Sequence, residues 1–158
     1  MGGYVGGMGD IDHRRLGAQL YNATWELLDL DHRSEQDDDA MLAAAYASFY
    51  HWSRSDGVRP ENLGRGHWLC SRVHAVLGHA GLAAHHAARY VSIAEAGRLD
   101  DWDLAAAFEA AARAAAVGGD FDAAEALEAK ALEQLTLVAD AEDRAVVQAD
   151  LDTLPRRP

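Results

Sequence analysis

Arg65, Trp68 and Arg72 stand at i, i+3 and i+7, so on a helix they share one face. Two guanidinium forks beside an indole can hold a carboxylate or phosphate through paired hydrogen bonds, while an apolar part of the same ligand rests on the ring. The competing use of such a set is structural, with Trp68 in the core and both arginines paired to an acidic surface. His67, Cys70 and His74 repeat the same spacing on an adjoining face. Imidazole and thiolate donors suit zinc or copper, with His51 or His85 from a neighbouring helix as a fourth ligand. No Cys-x-x-Cys or His-Glu-x-x-His supports this set, and a lone cysteine is most often buried packing, so no metal is expected. His85 and His86 are adjacent and point in different directions, so at most one can serve such a site. Asp37, Asp38 and Asp39 could take a divalent cation, but they fall in the first turn of a helix, where the macrodipole favours negative charge.

Catalytic signatures are missing. The chain has no Gly-x-Ser-x-Gly elbow and no phosphate-cradling glycine loop with Lys-Ser or Lys-Thr. Carboxylate pairs abound, but in a chain this acidic they occur by number alone. A non-enzyme without a cofactor is therefore expected.

The elements that must position these residues are helices. From Ile11 to Leu30 the apolar residues Leu16, Leu20, Ala23, Leu27 and Leu30 recur every three or four positions, the period of one buried helix face. Ser34 caps a second helix running to about Arg54, and Pro60 opens a third over Glu61 to Leu77, stopped by Gly78. A fourth spans Leu82 to Ala96. A fifth, capped by Asp100 or Asp101, runs to Val117, and a sixth, capped by Asp120, to Val138. Asp140 opens a seventh that ends near Leu154. No alternating strand pattern appears, so the fold class is all-α, with about seven helices.

The 158 residues suffice for one domain with its own core, expected over residues 10–154. The glycine-rich stretch 1–9 reads as a flexible arm and 155–158 as a tail. One cysteine and no secretory pattern lead to an expected cytoplasmic location. Net charge is −12, divided as −6 over residues 1–57, +2 over 58–97 and −8 over 98–158. That charge repels phosphate backbones, so nucleic acid is excluded as a general partner, and no apolar run is long enough to span a membrane. Five of the eight histidines, His67, His74, His79, His85 and His86, fall in the basic middle third.

Phe108, Ala111, Ala112, Ala115, Gly119-Asp120-Phe121, Ala124 and Ala131 together resemble a tetratricopeptide repeat: small residues in a first helix, a Gly-Asp-aromatic turn, then alanines where helices cross closely. The usual proline after Ala131 and the glycine at Ala112 are absent. Gly78, Ala83 and Tyr90 form a weaker copy offset by 41 residues. The resemblance implies antiparallel helix pairs stacked as a right-handed array, with the first helix of each pair lining a concave face and the seventh helix as a cap. It places Arg65, Trp68 and Arg72 on that face from helix three, and Ala106, Glu109, Arg113 and Ala116 from helix five. The whole chain is also similar to a group of small uncharacterised bacterial proteins through His51-Trp52, Arg65-Gly66, Trp68, Ser71-Arg72-Val73 and Asp101 to Ala105. That likeness supports the fold and carries no activity.

These observations lead to an expected adaptor that binds a protein or peptide in a concave groove through Arg65, Trp68, Arg72, Glu109 and Arg113, with an acidic group of the partner set against Arg65 and Arg72. The alternative is a small-molecule or zinc- or copper-binding protein with its pocket between helices two, three and four. A homodimer is a third possibility, since exposed aromatics can pair with a second copy.

Overall fold

The computed structural model describes residues 11–97 and 99–158, so the expected arm at 1–9 lies outside the described residues. Seven helices fill the described residues, without a strand: α1 (His13–Leu28), α2 (Glu35–Ser53), α3 (Pro60–Val76), α4 (Ala80–Glu95), α5 (Asp103–Val117), α6 (Phe121–Leu135) and α7 (Ala141–Asp152). Each helix packs on the next from α1 to α6, and α5 also touches α3 and α7, so the chain is three helix pairs in a stack with a closing helix. No helix is long and apolar enough to cross a membrane among the described residues.

Helix starts follow the capping chemistry in the sequence. Ser34 accepts from the Asp37 amide while the Asp37 carboxylate accepts from the Ser34 amide, a reciprocal box that ties up donors left free by the first turn. Asp120 and Asp140 cap α6 and α7 in the expected way. α5 differs. Its N-cap is Trp102, because Asp100 is drawn away to Arg65 and Asp101 accepts from the Ala139 amide. Gly78 and Gly119 leave their helices at φ of 75° and 81°, a left-handed turn that a side chain resists.

α5 is the axis of the stack. Ala105, Ala106, Ala107, Ala110, Ala112, Ala114 and Ala116 are all buried, so the helix is covered on nearly every side. Small side chains allow this because helix axes can approach only where no bulky group stands between them. The C-terminal stretch is no loose tail: Leu154 is buried, and Arg156 makes a forked pair with Glu128 of α6 at 2.6 and 2.8 Å.

α3 approaches its neighbours through two glycines. A Cβ on Gly66 would fall 2.5 Å from the Phe49 ring, and one on Gly64 would fall 2.9 Å from the ring of Tyr90. Neither distance is tolerated. Gly66→Ala gains about 1 kcal/mol of helix propensity but incurs about 1–3 kcal/mol of overpacking, so net destabilisation is expected. Gly81→Ala, on α4 with open space around the new methyl group, should be stabilising by up to about 1 kcal/mol. Thermal melts of the two variants should shift in opposite directions; a shift in the same direction would show that α3 does not pack this closely.

Candidate functional site

Side chains from α1, α3, α5 and α7, with Tyr90 of α4, line a recess of about 390 Å³. Tyr21 and Trp25 come from α1, Arg65 and Trp68 from α3, Trp102 and Ala106 from the start of α5, and Val146 and Asp150 from α7. A second recess of about 380 Å³ adjoins it, shares Tyr21, Arg65 and Trp102, and is closed at its far side by Trp52 and Asn62. Together they make a trough to which Tyr21, Trp25, Trp52, Trp68, Tyr90 and Trp102 contribute aromatic rings. Trp25 and Trp68 lie with ring centroids 5.6 Å apart, tilted by 31°.

Trp68 therefore lines the trough, and Arg65 and Arg72 share its helix face as the spacing requires. Their charges are already matched. Arg65 bonds Asp103 through Nε at 3.2 Å and Nη2 at 2.9 Å, reaches Asp100 at 2.6 Å, and lies with Cζ 4.3 Å from the Trp102 ring centroid. Asp103 is fully buried and accepts a further bond from the Tyr90 hydroxyl at 2.5 Å; burial first, and then the Asp103 carboxylate, hold that phenol far above its usual range. Arg72 pairs with Asp150 on α7 and lies 5.2 Å from the Trp68 ring centroid. The carboxylates expected from an acidic partner are thus supplied by the chain's own α5 and α7.

Glu109 and Arg113, expected on the open face, are buried at 1% and 8% exposure. α7 lies over this half of α5, and it does so through these two residues. Arg113 bonds Glu109 at 2.8 Å, then donates to the Asp150 and Thr153 carbonyls and the Thr153 hydroxyl at the end of α7. The other Glu109 oxygen, Oε2, is buried without a hydrogen-bond partner. These two residues fasten the closing helix and line no free surface.

Tyr21, Trp25, Trp102, Val146 and Asp150 are site residues that the sequence did not single out. The signal present was modest: Tyr21 and Trp25 are an i, i+4 aromatic pair, and Trp102 stands between two aspartates at a helix start.

On the other side of α3, His67, Cys70 and His74 do not gather around one point. No three His, Cys, Asp or Glu side chains could hold a metal ion among the described residues. His51 pairs with His13 at 2.8 Å, away from α3, and His85 is exposed. His86 is the member of its pair that turns inward. It lies 2.9 Å from His67 through the two Nδ1 atoms and 2.9 Å from the Tyr46 hydroxyl through Nε2. Burial first, then the nearby His67 and His74, presses His86 down to about 4; burial and then Arg89 do the same for His67.

Cys70 is fully buried, and burial pushes its thiol up to about 12. An alkylating reagent at neutral pH should leave Cys70 unmodified in the folded protein and label it completely once denaturant is added. Rapid labelling of the native state would contradict this burial. No family model, curated protein or solved structure matches this chain, so its own geometry carries the functional argument.

Proposed function

We propose that the protein is a non-catalytic adaptor whose aromatic trough binds an extended or helical peptide through one apolar anchor side chain. The observation that carries this is the recess itself: rings of Tyr21, Trp25, Trp68 and Trp102, with Val146 left 64% exposed at the edge, around a volume of about 390 Å³. Concave apolar sites with a few convergent polar groups are the usual form of ligand pockets, and buried aromatics dominate interface energies.

The partner's charge is opposite to the one suggested by Arg65 and Arg72 alone. Arg65 and Arg72 are neutralised from within, and beyond them the edge carries further acid from Asp101, Asp140 and Asp143. Desolvation first, and then the nearby Asp140, Asp101 and Asp100 carboxylates, raise the Asp143 carboxyl above its usual range. An aromatic or branched aliphatic anchor flanked by lysine or arginine suits this edge, and the chain's net charge of −12 would speed its approach.

Panning a random peptide display library against untagged protein tests the proposal. Enriched sequences should share an apolar residue next to basic ones, and their binding should weaken as salt rises. Enrichment of acidic peptides, or of none, would remove it.

A further inference from the structure

Five titratable side chains on the side of α3 away from the trough form a continuous line that peptide binding does not use. Tyr46 of α2 places its oxygen 2.9 Å from His74 Nε2 and 2.9 Å from His86 Nε2. The two imidazoles are nearly parallel, inclined by 13°. Their far nitrogens are held as well: His86 Nδ1 meets His67 Nδ1 at 2.9 Å, and His74 Nδ1 meets His79 Nδ1 at 3.2 Å.

Proton counting makes this arrangement informative. A phenol has one proton and cannot donate to two imidazole lone pairs. Without an ion, one of His74 and His86 must donate to the phenol while the other accepts. When His67 and His79 both act as acceptors, the inner histidines carry their protons on Nδ1, and both Nε2 lone pairs face the Tyr46 oxygen. In that tautomer the single phenol proton meets one Nε2 and leaves the other lone pair unmatched, a position that a cation can fill. It is also the arrangement by which outer groups orient metal-binding imidazoles, each ring donating its second N–H to a neighbour.

We propose that Tyr46 Oη, His74 Nε2 and His86 Nε2 form a binding site for a divalent copper-type ion, oriented by His67 and His79. With bonds of about 2.0 Å, the phenol oxygen and each imidazole nitrogen 2.9 Å from it subtend about 90° at the metal, the tetragonal angle of copper(II) or nickel(II) and smaller than the tetrahedral angle of zinc. Two nitrogens and one oxygen are a donor set of matching softness. Tyr46 is 40% exposed, so an ion can enter and water can complete its shell. On binding, the Tyr46 O–H bond breaks, a copper–oxygen bond forms and one proton leaves to solvent, with no change of oxidation state. The sequence spacing that pointed to His67, Cys70 and His74 thus falls near the site but names only one of its donors.

The test is a titration of copper(II) sulfate into untagged protein, followed by calorimetry and visible absorption. One strong site per chain is expected, with a phenolate-to-copper charge-transfer band. Tyr46→Phe should abolish the band and weaken binding by about tenfold or more while leaving the helical circular dichroism intact. His74→Gln with His86→Gln should remove the strong site, and His85→Gln, altering the exposed neighbour, should leave affinity and spectrum unchanged. Zinc should bind more weakly than copper. Absence of a strong site in the native sequence, a Tyr46→Phe variant with unaltered affinity and spectrum, or an equal loss in His85→Gln would overturn the assignment. Because these residues lie outside the trough, peptide binding is read independently of the result.

Discussion

Asp103→Ala should destabilise the fold by about 3 kcal/mol, the largest effect of any single charged-to-alanine change at the trough. Asp103 is fully buried at the start of α5 and serves two partners on other helices, Arg65 of α3 and Tyr90 of α4. Removing it leaves the Tyr90 hydroxyl, on a side chain with no solvent exposure, without an acceptor, and takes from Arg65 its forked partner. The cost is that of stranding groups already desolvated, which exceeds the net value of the bonds themselves. For a chain of this length about 2–4 °C of melting temperature is lost per kcal/mol, so a drop of about 6–12 °C is expected. Asp100→Ala provides the contrast. Asp100 also bonds Arg65, but it is exposed, and its loss should stay near the value of a surface pair, about 0.5 kcal/mol. Equal losses in the two variants, measured by urea unfolding, would show that the α3–α5 junction is not built on Asp103.

Val146→Arg should abolish most peptide binding without harming the fold. Val146 is exposed on α7 and forms the edge of the trough, so substitution there removes no packed core. The new side chain would stand three residues after Asp143 and four before Asp150, spacings that allow ion pairs along the helix and keep α7 intact. It would also place a cation at the mouth of the recess and cover the apolar surface that the anchor needs. A loss of about tenfold or more in affinity for a selected peptide is expected, with a melting temperature within about 2 °C of the parent. A Val146→Arg variant that binds as tightly as the parent would move the ligand surface elsewhere.

The helices were legible because their signals are local. Ser34, Asp120 and Asp140 cap where the sequence places them, and the glycine exits at Gly78 and Gly119 follow from backbone conformation alone. The start of α5 was displaced by long-range competition: Asp100 and Asp101 are good caps that found partners in α3 and after α6. The same limit applies to the site. Spacing within α3 correctly put Arg65, Trp68 and Arg72 on one face, but whether an arginine is free depends on what another helix brings to it. Asp103 and Asp150 are distant in sequence and ordinary in type, so nothing local marks them as the counter-charges. Glu109 and Arg113 were misplaced for a related reason, since an inner-face position in a repeat is open only until the closing helix lies upon it. The histidine chain was visible as a concentration of imidazoles in one third of the sequence, yet its central member, Tyr46, comes from a different helix and is not a residue that metal spacing patterns seek.

The most direct test of the trough as the ligand surface is a nitrogen-resolved NMR spectrum recorded as a selected peptide is added. The indole N–H signals of Trp25, Trp68 and Trp102 and the amides around Val146 should shift together and saturate at one peptide per chain. Shifts confined to α2, α4 and α6, with those three indoles unmoved, would contradict the assignment of the trough.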